Sequence, residues 1–151
     1  MAAAAGIALS VAASACACPP PDHLRPPPDE RFVFFAANGA DVAGVDGFFS
    51  LGYVAAYLDA SPRLHILIVG HADGRGTVEV NRALSFRRAN AVRAALVGHG
   101  VAVERIDIGV PVEEARSLAD SVSRRADLHV YDAAVAPSER RLPKGVEVRR
   151  E

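Results

Sequence analysis

The stretch Arg63-Leu-His-Ile-Leu-Ile-Val-Gly70 constrains this chain more than any other. It is an apolar, β-branched run too short for a stable helix and too continuous for a half-exposed strand, so it reads as a strand buried on both faces. The residues C-terminal to it fix its surroundings. A loop, His71-Ala-Asp-Gly-Arg-Gly76, leads to Thr77, an N-cap candidate, and Glu79 then sits in the first helical turn, where a carboxylate faces the positive end of the helix dipole. Leu84, Val92 and Leu96 fall on one face of that helix, and Gly98 and Gly100 stop it. A buried strand needs further strands beside it and helices above it, so the rest of the chain has to supply them.

It does so in order. Residues 31–37, "RFVFFAA", read as a first strand closed by "NGAD". Residues 45–60 carry Phe48, Leu51, Ala55 and Leu58 at helical spacing, although Gly47 and Gly52 weaken that helix unless packing supports it. "VERIDIGV" reads as a third strand, "VEEARSLADSVS" as a short helix or ordered loop, and "RRADLHVYD" as a fourth strand. The order β-α-β-α-β-(α)-β argues for an α+β architecture: a sheet covered by helices on one face. From Ala133 onward a mobile tail is expected, in which "GVEVRR" could add an edge strand.

The N-terminal thirty residues have a different composition. "MAAAAGIALSVAASA" has no charged side chain and ends in Ala13-Ser14-Ala15, the small-residue pattern of a secretory cleavage site, so residues 1–15 read as a signal peptide that lacks a basic start. The run is shorter than the roughly 20 residues of a membrane span. Ser14-Ala15-Cys16 is similar to the cleavage box of bacterial lipoproteins, in which the cysteine carries the lipid; Ala13 stands where leucine is usual. Cys16 and Cys18 lack the second cysteine pair that a tetrahedral zinc site requires. "PPPDHLRPPPDE", closing the 16–30 segment, is a semi-rigid proline-rich tether, and the globular domain is expected over 31–132, with 133–151 as the tail.

Composition narrows function further. A net charge of −1 gives no whole-chain field to recruit nucleic acid or acidic lipid. "GHADGRG" lacks the Gly-Lys-Ser/Thr ending of a phosphate-cradling loop and the glycine spacing of a dinucleotide fingerprint. No serine or cysteine sits in a nucleophile elbow. His71 and Asp73, with His65, would be the start of a metal-dependent hydrolase site, but no fourth donor has motif spacing; His99 sits at a helix end, where a cation favours the dipole, and His23 and His129 complete no motif. No enzyme and no cofactor are therefore expected. What remains is Asp73 in the glycine loop and Arg88 in the helix after it, both expected at the surface. A carboxylate and a guanidinium held apart suit a zwitterion, with an ammonium at the first and a carboxylate at the second. The same two residues could equally form an intramolecular salt bridge.

Asn81-x-x-Leu84-Ser85-x-x-Arg88-Ala89-x-x-Val92-x-x-x-Leu96 resembles the signature helix of the OmpA-like C-terminal domain family. "GHADGRGT" is similar to that family's Gly-x-Thr-Asp-x-x-Gly loop, in the form found in peptidoglycan-associated lipoproteins, and "SRRADLHV", residues 123–130, resembles the Asn-Arg-Arg run that opens its last strand. The resemblance covers residues 32–131 and implies a sandwich built on a four-stranded mixed sheet. It also implies non-covalent binding of peptidoglycan through the diaminopimelate of the stem peptide, whose side chain ends in a carbon bearing both an amine and a carboxylate. Asp73 would take the ammonium and Arg88 the carboxylate, with Arg75, Asn81 and Arg124 near or supporting the ligand. Cys16 would anchor the exported protein to the outer membrane, with the domain in the periplasm. Ala36, Ala72 and Ser123 depart from the family pattern, the first and last by removing polar groups from the pocket's edge. They leave open an alternative: a module of the same fold with an envelope protein as partner and no wall ligand.

Overall fold

The computed structural model describes residues 31–42, 47–112, 123–136 and 143–149. The elements run β1 (Arg31–Phe34), α1 (Gly47–Asp59), β2 (Leu64–Gly70), α2 (Val78–Gly98), a 3-10 turn at Val103–Arg105, β3 (Ile106–Pro111), β4 (Arg125–Asp132) and β5 (Val146–Arg149). The signal peptide, Cys16, the tether and residues 113–122 of the expected short helix lie outside the described residues. No helix among the described residues is long and apolar enough to cross a membrane.

The sheet has five strands, not four, in the order β1-β4-β2-β3-β5. β2 and β3 are parallel, joined by α2, and the other pairs are antiparallel. The added strand is the "GVEVRR" edge: Val146–Arg149 pairs with Ile108–Pro111, so sheet structure continues beyond residue 132. Charged side chains tie this strand to α2, with Arg82 Nη2 donating to Glu147 Oε2 at 2.8 Å and Arg149 lying over the Phe86 ring at 5.6 Å.

Past His65, β2 is apolar because it feeds two cores. Ile66 and Ile68 join Val33, Phe35, Leu58, Val92, Leu96 and Leu128 under the helices, whereas Leu67 and Val69 cluster with Tyr131 and Val146 on the opposite face. Leu84, Val92 and Leu96 are buried as expected from their helical spacing, and so is Arg88 between them.

α2 crosses the end of β2 at backbone contact. A Cβ on Gly70 would stand 1.9 Å from the Ser85 carbonyl oxygen, so only glycine allows this approach. Strand directions then gather one set of loops. The C-terminal ends of β1, β2 and β3, the start of β4 and the first turn of α2 lie at the same end of the sheet.

Candidate ligand-binding site

The loops at that end hold the residues singled out in the sequence. Thr77 caps α2, its hydroxyl accepting from the Val80 N–H at 3.3 Å, with Glu79 in the first turn. Gly74 and Gly76 take positive φ of 70° and 106°, which turns the loop back so that Asp73 faces the sheet end. Asp73 Oδ1 accepts from the backbone N–H of Arg75 at 3.3 Å, a local turn that fixes the carboxylate.

Arg88 departs from the surface position expected of it. It has no exposed surface, and its Nε, Nη1 and Nη2 donate to the carbonyls of Gly39 at 2.9 Å, His71 at 2.7 Å and Ala36 at 3.2 Å. The Phe35 ring lies 5.3 Å from its guanidinium carbon. The physical reason is that two loops end at this point with carbonyls turned inward, and a planar fork of five donors satisfies several at once. One of those loops is a tight turn: Asn38 adopts φ 54°, and the Gly39 N–H donates back to Ala36 O at 3.1 Å. Burial pulls the Arg88 pKa below its ordinary value, Asp73 works against that, and Arg124 and Arg87 add to it. The Asp73 side chain is also mostly buried, at 9% exposed, so it too differs from the surface expectation.

Asp73 and Arg88 are thus close enough to feel each other's charge, but the ion pair lies elsewhere. Arg124 Nη1 is 4.0 Å from Asp73 Oδ2, and Arg124 Nε donates to Phe35 O at 3.3 Å. At 21% side-chain exposure, Arg124 is the most accessible of the three charged groups. Asn81 is buried in the first turn of α2, and Arg75 is exposed at the loop tip. The structure therefore gathers Asp73, Arg88 and Arg124 into one charged cluster recessed below the surface, with Arg75 exposed at the loop tip beside it.

Two features carry no clear signal in the sequence. One is the use of Ala36, Gly39 and His71 through their carbonyls, which no side-chain motif could announce. The other is a polar cluster beside the recess. His71 Nε2 lies 3.0 Å from Asp127 Oδ2, within ion-pair distance when the ring is protonated but off the line of a good hydrogen bond. Arg125 Nε donates to Asp127 Oδ1 at 2.7 Å. Burial works to raise the Asp127 pKa, yet the approach of His71 and Arg125 outweighs it and leaves the carboxyl below its ordinary value. The hint available was charge at alternate positions, Arg125 and Asp127, which puts both on one face of a strand.

The OmpA family model matches residues 34–126, the span that holds the recess and most of the sheet. Peptidoglycan-associated lipoprotein of Haemophilus influenzae is 44% identical over 69 residues, 46% of this chain and 44% of that protein. Its namesake from Rhizobium meliloti is 37% identical over 92 residues, 60% of this chain and 52% of that protein. The chain thus spans about half the length of the curated relatives it matches. Among solved structures, the peptidoglycan-associated lipoprotein of Burkholderia pseudomallei superposes with a TM-score of 0.59 at 36% identity, over 67% of this chain and 90% of that one. The OmpA-like domain of FopA1 from Francisella tularensis shares the fold at 18% identity, with a TM-score of 0.58. By sequence and by fold, this chain belongs to the OmpA family.

Proposed function

We propose that this domain binds peptidoglycan without forming a bond, holding the diaminopimelate of the stem peptide and so tying the outer membrane to the wall. The observation that carries the reading is the recess itself: one carboxylate and two guanidinium groups, fixed by backbone hydrogen bonds before any ligand arrives. A zwitterionic carbon matches it, with the ammonium at Asp73 and the carboxylate between Arg124 at the open side and Arg88 beneath. Three of the five Arg88 N–H groups serve carbonyls and none of the residue is exposed, so Arg88 acts on the ligand's carboxylate as a charge from beneath while Arg124 makes the contact. Arg75 is exposed at the loop tip, and buried Asn81 supports the site from the first turn of α2. Preorganisation of this kind favours binding because the site does not have to be ordered by the ligand. The names of the relatives support the same reading, and Cys16 is the proposed lipid attachment that places the domain in the periplasm.

A second reading has one observation in its favour. Arg88 is satisfied by Ala36, Gly39 and His71 without any ligand, as it would be in a scaffold whose partner is another envelope protein. A pull-down separates the two. The full chain should be retained on insoluble sacculi, free diaminopimelate should release it, and Asp73→Asn should not be retained. A folded wild-type chain that passes through unretained would leave the scaffold reading.

A further inference from the structure

Gly52 lies in the interior of α1, where glycine weakens a helix relative to alanine. Packing does not demand it: a Cβ there would meet nothing nearer than Cε1 of His99, at 3.8 Å. What the missing side chain does is hold open a pocket of about 300 Å³. The lining includes Gly52, Ala55, Ala56 and Asp59 of α1, His99 at the end of α2, and Arg105 of the 3-10 turn. Because α1 and α2 lead into the parallel strands β2 and β3, both helices end on this side of the molecule. The Asp73 loop lies at the other end of the 21-residue α2, about 30 Å away.

Two opposite charges line this pocket without pairing. The Arg105 guanidinium is clamped: its Nε donates to Leu64 O at 3.0 Å, and its Nη2 faces the carbonyls of Leu58 at 2.5 Å, Ser61 at 2.9 Å and Leu64 at 2.7 Å. Those bonds leave Nη1 without a partner among the described residues and keep the group from swinging away. Burial lowers the Arg105 pKa, and Asp59 is near enough for its charge to work against that. Yet no ion pair joins the two, and the exposed Asp59 carboxylate has no other partner among the described residues. We infer that this pocket binds a free α-amino acid with a small side chain, its carboxylate on Arg105 Nη1 and its ammonium on Asp59. The site is independent of the wall-binding reading. A ligand of one sign would meet a fixed like charge, whereas a zwitterion satisfies both groups. Asp59 is the last residue of α1, and the negative pole of that helix adds to the hold on the ammonium. The volume, at the small end of ligand pockets, limits the side chain.

The test is an amide NMR titration of the full chain with glycine and with L-alanine. The amides of Gly52, Asp59 and Gly100 should shift, and those of Gly74 and Gly76 should stay in place. N-acetylalanine, which lacks the ammonium, and alaninamide, which lacks the carboxylate, should bind at least roughly tenfold more weakly than alanine. Asp59→Asn should weaken alanine binding by a similar factor, and Gly52→Leu should fill the pocket and abolish it. Should Gly52→Leu fail to fold, Asp59→Asn, a change at an exposed side chain, still decides. Equal affinity for alanine and either blocked derivative would overturn the proposal. So would shifts confined to Gly74 and Gly76, which would put alanine beside Asp73, or no shift with either amino acid. The stem tripeptide presents the same head group on a longer chain, and shifts at Gly52 and Asp59 with it but not with alanine would overturn the free amino acid as occupant. None of these results bears on retention by sacculi, so this proposal and the wall-binding reading fail separately.

Discussion

Arg88 and Asp73 occupy one recess but do different work, and substitution should separate them. Arg88→Ala strips hydrogen bonds from the carbonyls of Ala36, Gly39 and His71 in a buried place and leaves a void. It should cost roughly 3 kcal/mol or more, read as a fall in the midpoint of urea unfolding. Asp73→Asn keeps the shape and the local turn, so stability should change by less than about 1 kcal/mol while retention on sacculi disappears. Asp127 gives a pH signature. Its pKa is lowered on folding, so its ionised form contributes stability above the ordinary carboxylate value of 3.8, and that contribution is lost as pH falls through the folded value. The stability difference between wild type and Asp127→Asn should therefore be constant above pH 3.8 and close below it, measured by unfolding across an acid series.

At the scale of elements, the contact between β2 and α2 positions the recess. Gly70→Ala would force a methyl group into the Ser85 carbonyl, with no side chain to swing aside, and should cost several kcal/mol as the helix lifts from the strand. Gly74→Ala, at φ 70° in open space, should cost only about 1 kcal/mol, and chemical denaturation of both variants checks the contrast. The sequence showed β2 and α2 well because periodicity and capping are local properties: the apolar run, Thr77 and the Leu84–Leu96 face each carry their own signal. β5 was visible only as an option, since a four-residue strand gains its stability from Val146 packing on Gly109 and from Glu147 meeting Arg82, both distant in the chain. The burial of Arg88 was not visible at all. An arginine on the apolar face of a helix declares a destination only when the carbonyls that will receive it are known, and those of Ala36 and Gly39 lie 52 and 49 residues upstream.

For the whole molecule, a ligand that binds only the folded chain raises its stability. Diaminopimelate at about 100 times its dissociation constant should add about 2.7 kcal/mol to wild type and nothing to Asp73→Asn, followed by thermal unfolding with and without ligand. The sheet's polarity has a further, mechanical consequence. Residue 31 begins β1 at the end of the sheet remote from the recess, while β1 itself runs toward the recess and pairs with β4 from Arg31 to Phe34. A chain pulled at residue 31 against a ligand seated beside Asp73 is therefore loaded along its strands. The hydrogen bonds between β1 and β4, lying across the direction of pull, carry that load side by side in shear instead of peeling apart one after another. At the far end of β1, the grip of Arg88 on Ala36 and Gly39 acts as a rivet, joining the pulled strand to the helix that bears the pocket. Under the proposed wall-binding reading the fold serves as a link in tension, with a rupture force separate from its affinity.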